Sequence, residues 1–189
     1  MTKAFHRPTR LQALLAVSAL VLLGATGIRA VQAADNATAS ATAVVLQPIA
    51  VAKFADLVFG NVVAGNGVVT LATNGARTRS GTTALPTGVA GVAARFDVTG
   101  TGNNTFAIDY TGSSTELDDG GGNTMAVDWI TEALTSTTAS GKTDETTDAA
   151  TGTLSSGAAY VFVGGKLTVG ASQAAATYTG TIQVTVAYN

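Results

Sequence analysis

The segment Gly180–Asn189, GTIQVTVAYN, puts Ile182, Val184, Val186 and Tyr188 on one parity and Thr181, Gln183, Thr185, Ala187 and Asn189 on the other. Successive side chains of a strand point to opposite faces, so this segment reads as a β-strand with one apolar face and one mostly polar face. The sequence stops on that strand with no tail beyond it, and its apolar face needs a cover. The same two-residue period recurs upstream. Ala94, Phe96 and Val98 share a parity, as do Phe106, Ile108 and Tyr110, and Met125, Val127 and Trp129.

Working outward, FADLVFGNVVAGNGVVTL reads as a hairpin, with Leu57 and Phe59 on one strand, Gly65, Asn66 and Gly67 turning the chain, and Val69 and Leu71 on the next. A polar loop is expected from Arg77 to about Gly91. A second hairpin is expected for AARFDVTGTGNNTFAIDYTG, turning at Gly100 to Asn104. MAVDWI is a strand. Residues 131–157 lose periodicity and read as an exposed loop, with a short strand around Thr153 and Leu154. In AAYVFVGGKLTV, two short strands are expected about Gly164 and Gly165. Tyr160 and Phe162 alternate there with Val161 and Val163, so both faces are apolar and the strand is central and covered. No helical stripe follows the N-terminal region. Eight to ten short strands with close turn signals predict an all-β antiparallel β-sandwich, with a closed barrel as the second architecture.

The N-terminus follows a different logic. Lys3, His6, Arg7 and Arg10 precede the apolar run Leu11–Leu23, and small residues follow in VQAAD. Thirteen apolar residues fall short of the roughly 20 that span a bilayer, so residues 1–33 are expected to be a cleavable signal peptide, cut after Ala33 or one residue later. Residues 34–52 then form an N-terminal extended segment in which Ala37, Ala39, Ala41, Ala43 and Val45 share one parity, broken in phase near Gln47 and Pro48. Residues 53–189 form one domain, and a mature chain of about 156 residues buries enough surface for a single core.

Cleavage changes the chemistry on offer. Lys3, Arg7, Arg10 and Arg29 leave, so six basic residues face twelve acidic ones, a net charge of about −6. Nucleic acid and anionic membrane are therefore not expected partners. The single His leaves too, and the chain has no Cys. Without imidazole or thiol, Ser-His-Asp triads, Cys-His dyads and ordinary zinc or copper sites cannot be assembled. Asp109, Glu116, Asp118, Asp119, Asp128 and Glu132 are carboxylates of the type that hydrolyses glycosides, but nothing in the sequence pairs them, and they read as solvated charges. DDGGGN at Asp118–Asn123 lacks the ligand order of an EF-hand loop and reads as a turn. GGKLTV is no phosphate loop, because Tyr160 and Leu167 stand where its glycine and hydroxyl residue belong. Tyr110, Trp129, Tyr160 and Tyr178 fall on the apolar phases of their strands and read as core or rim rather than a ligand platform. No enzyme, cofactor or metal site is expected.

PIAVAKFADLVFGNVVAG, AARFDVTGTGNNTFAIDY, YVFVGGKLTV and ATYTGTIQVTVAYN resemble, in matching order, the bacterial secreted domain of unknown function family 4402. Leu57-Val58-Phe59-Gly60, Gly164-Gly165 and Tyr178-Thr179-Gly180 are the more specific elements. A looser resemblance is to spore coat protein U and chaperone-usher pilin subunits, small exported immunoglobulin-like sandwiches that end in an alternating strand with Tyr next to last, as Tyr188 stands here. This chain departs from them in having no cysteine pair. That resemblance implies an immunoglobulin-like or pilin-like sandwich and assembly by strand addition. By position Ala37, Ala39, Ala41, Ala43 and Val45 would lie on the donor strand, and Ile182, Val184, Val186 and Tyr188 on the receiving one. The expectation is an exported, non-catalytic structural or adhesive protein, a fibre or coat subunit of the periplasm, outer surface or extracellular space. Its partners would be copies of itself, related subunits or a periplasmic chaperone. The alternative is a monomeric secreted binding module that uses the 131–157 loop.

Overall fold

The computed structural model of the chain describes residues 35–144 and 149–189, so the expected signal peptide lies outside the described residues. The chain divides into two units between Thr42 and Ala43. Of the first unit, residues 35–42 are exposed and carry no regular secondary structure. The second unit holds ten strands, β1 (Ala50–Ala55), β2 (Gly67–Leu71), β3 (Arg77–Arg79), β4 (Ala94–Thr99), β5 (Thr105–Asp109), β6 (Glu116–Asp118), β7 (Thr124–Leu134), β8 (Thr151–Thr153), β9 (Ala158–Val169) and β10 (Thr185–Tyr188). No helix occurs among the described residues. Every strand pairing is antiparallel, and the architecture is a β-sandwich.

The organising element is β9, which is one continuous strand rather than two short ones. Val163 pairs with Ala94 of β4 on one edge and Thr131 of β7 on the other, while Leu167 pairs with Val69 of β2 and Val127 of β7. The two glycines turn nothing. They admit close neighbours where β4 gives way to β2 along one edge, and a Cβ on Gly164 would press into the Leu71 carbonyl. With β1 beside β4, β3 beside β2 and β6 beside β7, this makes a seven-stranded sheet. The facing sheet is small, in the order β10-β5-β8.

Both expected hairpins give way to longer-range pairing. β4 and β5 follow one another in sequence but lie in opposite sheets, because Phe96 and Phe106 enter the same core from its two sides. β2 pairs with β3 and β9, and residues 57–64 ahead of it carry only the isolated bridges Val58↔Val92 and Val63↔Ala84. The expected loop at 77–91 therefore begins as a strand. So does the expected loop at 131–157, since β7 continues to Leu134. Its polar residues are bonded within the protein. Ser140 donates its N–H (2.9 Å) and its hydroxyl to buried Glu132, and Thr131 accepts from the Ala149 N–H at 2.9 Å. Buried polar groups with partners look like loop composition in a sequence.

Two apolar clusters fill the sandwich. The first gathers Phe96 and Val98, Phe106 and Ile108, Leu154, Val161 and Val163, and the second gathers Phe59, Val69, Leu71, Leu117, Met125, Val127, Leu167 and Val169. Trp129 packs against both, and its Nε1–H donates to the Ser114 carbonyl at 2.8 Å. Tyr110 packs on the first cluster and Tyr178 on the second. Tyr160 instead faces outward, where the Arg95 guanidinium lies 4.7 Å from its ring and 4.1 Å from that of Phe54.

Candidate functional groove

The second cluster is open on one side. A groove of about 950 Å³ runs between residues 53–64 and residues 173–182, over a floor that includes Phe59, Phe96, Leu117, Met125, Trp129 and Leu167. Its two walls are the two poorly laddered segments of the fold. One wall continues β1, the edge strand of the large sheet, and the other leads into β10, the edge strand of the small sheet.

Local bonding explains why the groove stays open. Asp118 and Thr179 exchange both backbone bonds at 2.8 and 2.9 Å, Ser114 N–H donates to the Thr181 carbonyl at 2.8 Å, and Gln183 N–H donates to the Ser113 hydroxyl at 3.0 Å. The odd residues are thus satisfied on the side away from the groove. In an extended chain alternate residues point their backbone groups to opposite edges, so Gly180 and Ile182 present theirs to the groove. The other wall is held from behind by Arg77. Its Nη1 donates to the carbonyls of Phe59 at 2.9 Å and Asn61 at 3.2 Å, and its Nη2 to that of Val89. One planar fork tied to three carbonyls gives an irregular wall a fixed shape.

The exposed large hydrophobic residues among those described fall in two places. Val44, Val45 and Leu46 lie in the N-terminal segment, with Val44 85% and Val45 93% exposed. Phe54, Val58 and Val63 lie along residues 53–64, Val58 and Val63 lining the groove, with Val92 bridged to Val58, and Phe54 on the opposite face against Arg95. Concentrated exposure of this kind marks a contact surface.

Of the residues singled out from sequence, Ile182, Val184, Val186 and Tyr188 share one face and pack half-buried against the first cluster. Ala37, Ala39, Ala41, Ala43 and Val45 are exposed and belong to no strand. The wall at 57–64 and its Arg77 brace escaped the sequence reading. Their one signal is LVFGNVV, whose apolar residues occupy both parities although only Phe59 is buried.

The carboxylates do not converge. Asp109 is bonded to the Thr111 hydroxyl (2.6 Å) and N–H (2.8 Å), which hold its carboxyl below the usual range. Asp119 is held low by the Asn123 side chain at 2.7 Å and by the Gly121 and Asn123 amides at 2.7 and 3.0 Å. Both cap their own turns. Among the described residues no group of three or more His, Cys, Asp or Glu is placed to hold a metal, and no helix is long and apolar enough to cross a membrane. A second hollow of about 380 Å³ lies outside the large sheet, between Phe54, Arg95, Phe162 and residues 137–139.

A family model described as Domain of unknown function (DUF4402) matches residues 49–188. No curated protein and no solved structure matches the chain.

Proposed function

The chain belongs to the domain of unknown function 4402 family, and from that premise we propose that it is an exported, non-catalytic structural subunit whose groove receives a strand from a second copy. The observation that carries this reading is the pairing of two exposed apolar features. A groove bordered by two weakly laddered segments has room for a strand, and Ala37–Val45 is an alternating segment with only small or aliphatic residues on one face. Strand addition supplies backbone hydrogen bonds along the edges and side chains for the floor. The donor carries no charge from Asn36 to Pro48, as an apolar floor requires. Such a subunit works in the periplasm or on the outer surface, where a chaperone would shield the groove until assembly.

Deleting residues 34–46 and sizing the secreted product tests this reading. Full-length protein should assemble beyond the monomer, and the deletion should leave folded monomers that recover assembly only with added full-length chains. Unchanged assembly after the deletion would reject it. A monomeric binding module is the second reading, favoured by the outer hollow around Arg95. Replacing Thr137–Ala139 with glycines would then abolish ligand capture and leave assembly alone.

A further inference from the structure

The outer face of the large sheet carries aromatic residues that solubility does not call for. In β4, Ala94, Phe96 and Val98 point into the core, so Arg95 and Asp97 point out. Tyr160 and Phe162 of β9 stand beside them, since Arg95 pairs with Phe162 and Asp97 with Tyr160. β1 adds a third row. Its register against β4 shifts between Lys53 and Ala55, which leaves Phe54 as the extra residue, and a bulge of this kind re-aims a side chain. Here the Phe54 ring lies 4.1 Å from the Arg95 guanidinium while remaining 66% exposed, and Tyr160 flanks the same guanidinium at 4.7 Å. Around this patch the walls of the outer hollow are tied down. The Ser136 hydroxyl accepts the Thr138 N–H at 3.1 Å and buried Glu132 accepts twice from Ser140, which fixes residues 137–139. Opposite them, Asn74 Oδ1 accepts the Ala76 N–H at 3.0 Å.

We infer that this hollow binds an uncharged sugar, a neutral hexose at the end of a glycan chain. The inference rests on the second reading above only in taking the hollow as a ligand site, and it holds whether or not the groove is filled. Its volume of about 380 Å³ lies toward the small end of the roughly 300–1,000 Å³ of ligand sites. Charge selects the class of ligand. Among the described residues Arg95 is the only charged one in the lining, and Asp97 accepts from its Nε at 2.7 Å and its Nη2 at 3.0 Å. An anion therefore meets a guanidinium that is already compensated, and a cation meets rings that Arg95 already occupies. A peptide strand gains little, because β4 is paired on both edges and leaves no free ladder edge at the floor. The lining instead offers the apolar surface of Phe54, Phe162 and Val92 next to the side chains of Asn74, Thr137 and Thr138. A pyranose matches both parts, with a C–H face for the rings and hydroxyls around its rim for the polar groups.

The test applies the secreted full-length chain to an array of glycans ending in neutral hexoses and to the same glycans capped with sialic acid. The neutral set should be retained and the capped set should not. Phe54→Ala, at an exposed position, should lower retention about tenfold by removing one stacking ring, and Phe54→Tyr should keep most of it. Asp97→Asn keeps the shape and uncovers the Arg95 charge, so it should move the ratio of neutral to capped retention severalfold toward the capped set. A merely structural Asp97 would lower the melting temperature and leave that ratio alone, which would overturn the selection by charge. Ile182→Ala in the groove should change neither set. Preference for capped glycans that Phe54→Ala removes would overturn the uncharged class and leave the hollow standing as a binding site. Retention that survives both Phe54→Ala and glycines at 137–139 would reject the hollow and the binding-module reading together. Retention of neither set would overturn this inference alone.

Discussion

The strand β9 and the segment 181–188 both alternate apolar residues, yet they end in opposite circumstances. β9 has partners on both edges, and Val161 and Val163 are wholly buried. Residues 181–188 are bonded along one edge, and Ile182, Val184, Val186 and Tyr188 are only half-buried. The periodicity of a strand records which face is apolar, and carries no information on how many neighbours cover it. In this molecule the incompletely covered segment meets the groove at Ile182, so the difference separates scaffold from contact surface.

The largest expected effect lies on the scaffold side. Phe106 is fully buried where the two sheets meet, and Phe106→Ala should cost about 3–5 kcal/mol by leaving a cavity. Ile182→Ala on the half-covered segment should cost the isolated monomer about 1 kcal/mol. Urea denaturation of both variants, in monomers lacking residues 34–46 and in assembled protein, sharpens the contrast. Assembly should enlarge the Ile182→Ala penalty and leave that of Phe106→Ala unchanged. Equal penalties in both states would show that nothing covers the segment on assembly.

The next effect concerns the groove wall. Removing the Arg77 fork leaves three carbonyls without their charged donor, so Arg77→Met should cost about 1–2 kcal/mol. Protease cleavage should appear within residues 57–64 before it appears in β9. Arg77→Lys should restore little, since one ammonium cannot span the geometry of a planar fork. Cleavage that begins in β9 instead would mean the wall is held by its bridges at Val58 and Val63 alone.

The all-β class was legible because period-two alternation is local. Phe96, Val98, Phe106, Ile108, Met125 and Val127 all face the core as their parity requires. What stayed illegible was pairing. Gly164 and Gly165 look like a turn in sequence, and only the close approach of the Leu71 carbonyl explains glycine there. Gly100 to Asn104 looks like a hairpin turn, but the chain crosses between sheets because Phe106 must meet Phe96 from the far side. Ile182, Val184, Val186 and Tyr188 were legible as one face, whereas the opposing wall depends on Arg77, 16 and 18 residues from the carbonyls of Asn61 and Phe59 and silent in any local pattern. Contacts that depend on long-range geometry leave little trace in local periodicity.

The smallest expected effect separates the turns from both strands. The Asp119 carboxylate is held below its ordinary value of 3.8 by bonds from Asn123 and Gly121, so its charged form favours the folded turn. A lowered folded value contributes above the unfolded one and is lost as pH falls through the folded one. Hydrogen exchange followed downward from pH 5 should therefore show the Gly121 and Asn123 amides losing protection, relative to their intrinsic rates, below about pH 4, while the amides of β9 hold theirs. Asp119→Asn should abolish that pH dependence at the turn and leave the groove and β9 unaffected. Because the residue sits in a surface turn, the effect stays local to the turn, and a matching loss in β9 would mean that the turn helps to hold the β6–β7 pair against the second cluster.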